Sequence, residues 1–156
     1  MAILNILKDG DETLRKKSRK VEEITPRILT LLDDMHETLV KAEGIGLAAP
    51  QVGVLRRIVI VEVGDDRFEM INPEIIETKG TVEEIEGCLS IPDLCGLVKR
   101  PEYVKVRATD RNGKEYIAEG TGLLARCFCH ELDHLEGILY TDKAIETYTP
   151  DELEEE

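Results

Sequence analysis

Two histidines and a glutamate lie close together in the string His130-Glu131-Leu132-Asp133-His134. Histidines four positions apart project from the same face of a helix, so both can bind one metal ion. A glutamate directly after the first histidine is placed to move protons to and from a water molecule on that metal. The pattern is typical of metal-dependent hydrolases. Five residues alone also fit histidines that hydrogen-bond to carbonyl groups or face water.

The sequence around this pattern indicates a buried helix. Thr121 offers a hydroxyl for the N-cap, and Gly137 offers a C-terminal stop. Between them the apolar residues recur at helical spacing. They are Leu123, Leu124, Cys127, Phe128, Leu132 and Leu135. Ionisable side chains on such a helix need a specific role, because burial of an unpaired charge is costly.

Two histidines leave a catalytic metal site one protein ligand short, because such sites commonly use three ligands and keep one position open. Zinc peptidases often take a glutamate or histidine further along the chain, but the remaining acids here lie mostly in a charged tail. Cys88 is the better candidate. It lies in Glu86-Gly87-Cys88-Leu89-Ser90, where glycine lets the backbone approach closely and a divalent cation would stabilise the thiolate.

A third segment, Gly44-Ile45-Gly46-Leu47-Ala48-Ala49-Pro50-Gln51, is rich in small residues that let another chain come close. Gln51 at its end is the only glutamine in the chain. Its carboxamide could donate a hydrogen bond to a developing oxyanion.

The rest of the chain indicates an α+β fold. Thr25-Pro26 begins a helix with apolar residues at helical spacing, and the β-branched run 57–63 is typical of a strand. Further extended segments are predicted at 68–72 and 74–79, separated by Pro73. Residues 103–108 and 114–118 are typical of a hairpin, because the Asn112-Gly113 pair between them favours a tight turn. We expect small antiparallel β-sheets packed around a central metal-binding α-helix, with a helix in the N-terminal region.

Composition limits the classes of function. The chain has 156 residues and a formal net charge of -13, which argues against direct nucleic-acid binding. No apolar stretch resembles a signal sequence or reaches membrane-spanning length, so we expect a cytoplasmic protein without membrane contacts. The length fits one catalytic domain, predicted at residues 1–147, with a short acidic C-terminal tail at 148–156.

The four cysteines do not have the spacing of a disulfide framework, so reduced thiols or a metal thiolate are expected. Cys129 points about 100° away from His130 around the helix, which argues against a larger metal cluster. Cys95 is predicted to be a free thiol in a loop.

The three segments together resemble the peptide deformylase family, in the family's order and approximate spacing. The resemblance extends from Ile3 to about Asp142. It implies that one metal ion is bound by Cys88, His130 and His134. Fe(II) is the metal that the resemblance favours, with Zn, Ni or Co as substitutes.

The same resemblance implies the reaction and the remaining site residues. The family hydrolyses the N-formyl group from the N-terminal formylmethionine of newly made polypeptides and releases formate. Glu131 would be the general base and acid, while Gln51 and the backbone N–H of Leu89 would face the oxyanion. The implied partners are N-formylmethionyl nascent polypeptides, in transient proximity to the ribosome. The acidic tail does not favour electrostatic docking on ribosomal RNA.

Substrate binding is expected at the glycine-rich segment. Backbone groups of Gly44, Ile45 and Gly46 could pair with an extended peptide by strand addition. Leu123 and Cys127 are candidates for an apolar methionine pocket, with plain core packing as the alternative.

Two other functions stay open on the sequence alone. One is a structural metal site, which would need four protein ligands and offers Cys95 as the fourth. The other is a zinc-type endopeptidase, which would cleave internal peptide bonds of unformylated chains.

Overall fold

A computed structural model describes residues 2–149 and 151–152. Within them the chain forms an α+β fold with two α-helices, α1 (Pro26–Ala42) and α2 (Gly122–Leu135). Short 3₁₀-helices lie at Glu12–Arg15, Ala49–Val52 and Tyr140–Asp142. The strands are β1 (Gly46–Ala48), β2 (Ile58–Val63), β3 (Asp66–Lys79), β4 (Val82–Cys88), β5 (Ile91–Arg100), β6 (Tyr103–Thr109), β7 (Glu115–Thr121) and β8 (Ala144–Tyr148).

The strands form two antiparallel sheets around α2. One sheet has the order β1-β2-β3-β6-β7, and the other has the order β4-β5-β8. Phe128 and Leu135 of α2 are fully buried in a cluster that includes Val59 of β2 and Val106 of β6. The predicted fold class is therefore confirmed, since small antiparallel sheets do pack around the central helix. Among the described residues, no helix is long and apolar enough to cross a membrane.

The helix α1 forms where the sequence predicted it. The Thr25 side chain accepts a hydrogen bond from the N–H of Ile28 at 3.4 Å, and Pro26 occupies the first helical position, where its missing N–H costs nothing. Leu32 and Met35 are fully buried against β1 and β2. This helix therefore covers the face of the five-stranded sheet that α2 does not cover.

The expected break at Pro73 is wrong, because β3 continues through it from Asp66 to Lys79. The strand accommodates proline at an irregularity between Ile71 and Glu74, where the ladder is already interrupted. Asn72 has a positive φ of 53°. Its carboxamide bonds to both the N–H and the carbonyl of Val21, each at 2.8 Å, so the bulge anchors the N-terminal segment.

Two local expectations are also revised. Thr121 is the N-cap of α2, but its side chain makes no capping hydrogen bond. Cys95 lies in strand β5 and not in a loop. The last strand, β8, runs to Tyr148, one residue into the segment predicted as the tail; residues 150 and 153–156 of that segment lie outside the described residues.

Candidate active site

The three predicted metal ligands meet at the centre of the molecule. One turn of α2 separates His130 from His134, whose ring centroids are 5.1 Å apart, and Cys88 reaches them from the end of β4. Their ligand atoms all lie within 4.8 Å of one another. In a tetrahedral site, sulfur and nitrogen ligands of one ion would be about 3.6 Å apart. The Cys88 Sγ to His134 Nε2 distance is 3.5 Å, so the residues fit one metal ion.

The ring of His130 is oriented by a buried carboxylate. Its Nδ1 lies 2.8 Å from Oε1 of Glu86, which turns Nε2 toward Cys88. Burial lowers the pKa of His134 well below 6.5. For His130, hydrogen bonds with Cys88 and Glu86 outweigh burial and raise the pKa to about 10. Metal binding at His130 would therefore release a proton.

Glu86 is the centre of a buried ion-pair network. Arg100 donates to it through Nε at 2.8 Å and Nη2 at 3.0 Å, and Arg126 donates through Nη1 at 2.5 Å. Arg100 also contacts Asp133 at 2.7 Å. Although burial raises it, hydrogen bonds from His130 and Arg100 bring the pKa of Glu86 down to about 2. Arg100 is itself buried.

Glu131 is enclosed beside the ligand group. Its Oε1 is buried and has no hydrogen-bond partner among the described residues. Burial raises the pKa of Glu131 to about 7, against an opposing effect of His130. The lack of a side chain at Gly46 leaves room for the Glu131 carboxyl group, because a Cβ at residue 46 would lie 2.5 Å from Glu131 Oε2. A carboxyl group with this pKa can both accept and donate a proton near neutral pH.

The carboxamide of Gln51 is held in one orientation. Its Oε1 accepts a hydrogen bond from the N–H of Ala48 at 2.9 Å. Its Nε2 donates to Ser90 Oγ at 3.1 Å and lies 3.6 Å from Cys88 Sγ. The donor end of the side chain thus faces the ligand group. Leu89 follows Cys88 in the turn between β4 and β5 and lines the same cleft.

The cleft beside these residues has a volume of about 460 Å³. All five predicted substrate residues line it: Gly44, Ile45, Gly46, Leu123 and Cys127. Leu123 is 55% exposed, which rules out plain core packing for it. Cys127 lines the cleft and is also part of the core, and its Sγ lies 3.6 Å from the Ile45 carbonyl.

Several residues of this site were not predicted from the sequence. Ile85 is 44% exposed at the cleft, and its position beside the cysteine motif was the available signal. Arg126 stands in an apolar run of α2, where a charge signals a buried partner. That partner, Glu86, lies 40 residues away in sequence, so local patterns do not reveal it.

The other cysteines lie outside the ligand group. Cys95 points its Sγ toward the Tyr148 carbonyl at 3.5 Å, and Cys129 is buried. All four cysteines are free thiols. A closed metal site with Cys95 as fourth ligand therefore has no support in this geometry.

The known proteins that this chain resembles in sequence and fold are peptide deformylases. A family profile described as polypeptide deformylase matches residues 3–149. The chain is 56% identical over 147 residues to peptide deformylase 1 of Clostridium acetobutylicum, covering 94% of this chain and 98% of that protein. It is 57% identical over 154 residues to peptide deformylase of Acetivibrio thermocellus, covering 99% of this chain and 91% of that protein.

Solved structures agree with this result. The crystal structure of peptide deformylase from Thermotoga maritima has a TM-score of 0.89 at 36% identity, covering 92% of this chain and 99% of that one. A peptide deformylase from Synechococcus elongatus in complex with actinonin has a TM-score of 0.88 at 38% identity, covering 97% of this chain and 82% of that one. The chain therefore belongs to the polypeptide deformylase family, as its three motifs indicated.

Proposed function

We propose that this chain removes the N-formyl group from the N-terminal formylmethionine of newly made polypeptides and releases formate. One observation carries the proposal: the ligand atoms of Cys88, His130 and His134 lie within 4.8 Å of one another, and Glu131 lines the same cleft. A metal-binding group beside a poised carboxyl group is the arrangement that water-dependent cleavage of an amide requires.

The ligand set supports a divalent transition metal. One thiolate and two imidazoles suit iron, zinc, cobalt and nickel, and we propose Fe(II) as the native metal with Zn, Ni or Co as substitutes. When bound, the metal supplies Lewis-acid activation of water and of the formyl oxygen. Glu86 fixes the ring of His130 for this purpose, because it holds Nδ1 and leaves Nε2 for the ion.

Proton transfer is the proposed role of Glu131. Its carboxylate accepts a proton from the attacking water as the new C–O bond forms at the formyl carbon. The same carboxyl group then gives a proton to the amine nitrogen as the C–N bond breaks, so formate and a free N-terminus leave. The pKa of about 7 supports both steps, since general acid–base catalysis is most effective near the operating pH.

Charge on the formyl oxygen is stabilised by two donors from the protein. We propose the Gln51 carboxamide, whose Nε2 is turned toward Cys88, and the backbone N–H of Leu89. The Gln51 carboxamide is held by Ala48 and Ser90 before substrate arrives, and preorganised donors of this kind are among the largest contributions to amide hydrolysis.

The cleft supports an extended peptide with an apolar first side chain. Strand β1 is an edge of the five-stranded sheet. The Gly44 N–H already donates to Leu39 and the Ile45 carbonyl already accepts from Glu62, so we propose that the remaining backbone groups of Gly44, Ile45 and Gly46 pair with a substrate strand. Leu123 and Cys127 line the cleft beside them, and with Ile45 they would accept the methionine side chain.

The cellular setting follows from the substrate. We propose a cytoplasmic enzyme that acts on nascent polypeptides in transient proximity to the ribosome. The net charge of -13 supports access without direct binding to nucleic acid. We also propose that residues 1–147 are the catalytic domain and that the acidic tail over 148–156 is not needed for chemistry.

The direct test is a formate-release assay on anaerobically purified protein, paired with metal analysis. The substrates are formyl-Met-Ala-Ser, its unformylated counterpart and a long casein-like chain. We expect formate from the first substrate and no cleavage of the others. Cleavage of the casein-like chain without formate release would instead indicate an endopeptidase. Loss of activity in air, with recovery after anaerobic Fe(II) loading, is expected for iron; oxygen-insensitive activity with stoichiometric zinc would contradict it.

A further inference from the structure

Residues 6–9 of the N-terminal segment lie against the candidate active site and make hydrogen bonds to the residues proposed as oxyanion donors. We call this segment the N-terminal strap. The N–H of Leu7 donates to the Gln51 carbonyl at 2.7 Å, and the N–H of Asp9 donates to the Ser90 carbonyl at 2.8 Å. Between them, Lys8 Nζ lies 3.4 Å from the Leu89 carbonyl. Leu7, Lys8 and Asp9 thus each make one hydrogen bond to the site. Their partners are Gln51, Leu89 and Ser90, in that order.

The turn that carries Leu89 lacks the residues that usually stabilise a tight hairpin turn. Leu89 and Ser90 form a two-residue connection between β4 and β5, in which Cys88 pairs with Ile91. Tight two-residue hairpins favour turns with positive φ, usually through glycine or asparagine. Neither Leu89 nor Ser90 has a positive φ, and the ladder is irregular between Glu86 and Cys88. Contacts from outside the hairpin must therefore define this turn.

The strap also connects the two sheets at the site. Gln51 follows β1 of the five-stranded sheet, whereas Leu89 and Ser90 belong to the three-stranded sheet. Ser90 is held twice, because its carbonyl accepts from Asp9 and its hydroxyl accepts from Gln51 Nε2 at 3.1 Å. The side chain of Leu7 packs against the apolar cluster that Cys88 also contacts. Displacement of the strap would alter the position of one donor relative to the other.

We infer that Leu7, Lys8 and Asp9 are positioning residues for deformylation, which set the placement of the Gln51 carboxamide and the Leu89 N–H. The inference rests on the roles proposed above for these two donors. Small errors in geometry at a reacting centre are costly, and a displacement of about 1 Å can reduce rates by about 10²-fold. Because the donors act on charge that develops during the reaction, the expected effect is on kcat more than on KM.

The main experiment compares two substitutions at one exposed position. Asp9→Pro removes the N–H that holds the Ser90 carbonyl, since proline has no amide hydrogen. Asp9→Ala is the matched control, because it removes the carboxylate and keeps the N–H. With the formylated peptide we expect kcat of Asp9→Pro to be about tenfold below that of Asp9→Ala, with KM within about twofold.

A second pair of variants tests the side-chain contact. Lys8→Met keeps the aliphatic chain and removes the ammonium donor, while Lys8→Arg restores a cationic donor. We expect Lys8→Met to lower kcat by about threefold and Lys8→Arg to recover most of it. If Asp9→Pro does not fold, the two Lys8 variants still test the positioning role of the strap.

A readout independent of activity follows from the single glutamine of the chain. In the zinc-substituted protein, whose metal is diamagnetic, glutamine labelled with ¹⁵N in the side chain gives one pair of amide signals, which report the environment of Gln51. We expect these signals to move in Asp9→Pro relative to Asp9→Ala, and in Lys8→Met relative to Lys8→Arg. Unmoved signals with unchanged kcat in the folded variants would overturn the inference. Absence of formate release by the unaltered protein would instead contradict the proposed function, whatever the signals show.

Discussion

Oε1 of Glu86 lies 2.8 Å from Nδ1 of His130, and the same carboxylate receives hydrogen bonds from Arg100 and Arg126. One buried glutamate therefore orients a candidate metal ligand and neutralises two buried arginines. The candidate metal site and the buried ion-pair network share one side chain.

Glu86→Gln should weaken both the stability of the fold and metal binding. Loss of the charge leaves buried guanidinium groups without a full counter-ion, which costs about 3–5 kcal/mol of unfolding free energy, and metal affinity should fall by about 10–100-fold. Denaturant unfolding and competition with a chelator would measure the two effects. Glu84→Gln, at an exposed position of the same strand, is the control. Equal metal affinity in the two variants would remove Glu86 from metal binding.

Gly46→Ala should disable proton transfer by crowding. The new Cβ would lie 2.5 Å from Glu131 Oε2 and 2.8 Å from Cys127 Sγ, so the carboxyl group must move. We expect stability to fall by about 1–3 kcal/mol and kcat by about 10²-fold. Gly87→Ala is the matched control in the same cleft, because its Cβ would meet nothing within 4 Å. A Gly46→Ala variant with normal kcat would contradict the assignment of Glu131.

Glu131→Gln should separate metal binding from chemistry. The amide keeps the size of the side chain but cannot take the proton of water, so kcat should fall by about 10²–10⁴-fold. Metal content should remain close to one ion per chain, because Glu131 is outside the ligand group. Metal analysis and single-turnover formate release are the measurements, and near-normal turnover would exclude Glu131 as the base.

Gln51→Ala should lower kcat more than it raises KM. Loss of one oxyanion donor costs about 2.7–4 kcal/mol of transition-state stabilisation, or about 10²–10³-fold in rate. Steady-state kinetics with the formylated peptide provide the comparison. A raised KM with unchanged kcat would instead make Gln51 a residue for substrate binding.

A pH dependence of stability is expected from His36, far from the metal site. His36 lies beside an open groove of about 990 Å³ between α1 and the β6–β7 hairpin, with Glu69 at 2.9 Å and Glu62 at 2.8 Å. Hydrogen bonds to Glu69, and then to Glu62, raise its pKa above 6.5 despite burial. The arginines that pair with these glutamates, Arg67 and Arg111, also face the groove.

A raised pKa in the folded state means that the protonated histidine stabilises the fold below pH 6.5 and that this contribution is lost as pH rises through the raised pKa. His36→Gln should therefore reduce the unfolding free energy most at pH 5.5 and least at pH 9. Urea titrations of both proteins across this range provide the check. A constant difference at every pH would show that His36 acts through packing alone.

The elements that carry local signals were predictable from sequence. Periodicity and capping predicted α1, the β-branched run predicted β2, and the Asn-Gly turn predicted the β6–β7 hairpin. The pairing of His130 and His134 was predictable for the same reason, since they share a helical face. In these cases neighbours along the chain determine the structure. Cys88 was chosen as the third candidate ligand from its own motif, although it is distant from both histidines along the chain.

What sequence analysis missed depends on residues far apart along the chain. The ion pair of Arg126 with Glu86 spans 40 residues, and the contact of Lys8 with Leu89 spans 81. The continuation of β3 through Pro73 depends on Asn72 and its bonds to Val21. No local pattern encodes these pairings, because they arise only when the sheets and α2 pack together.

The cleft lies between two strands that are edges of their sheets, β1 and β4. Edge strands present main-chain amides and carbonyls, which every polypeptide can match whatever its side chains. Recognition by such edges is tolerant of downstream sequence, so the first side chain alone would need a fitted pocket. An enzyme that recognises its substrates through such edges can act on polypeptides whose sequences differ after the first residue.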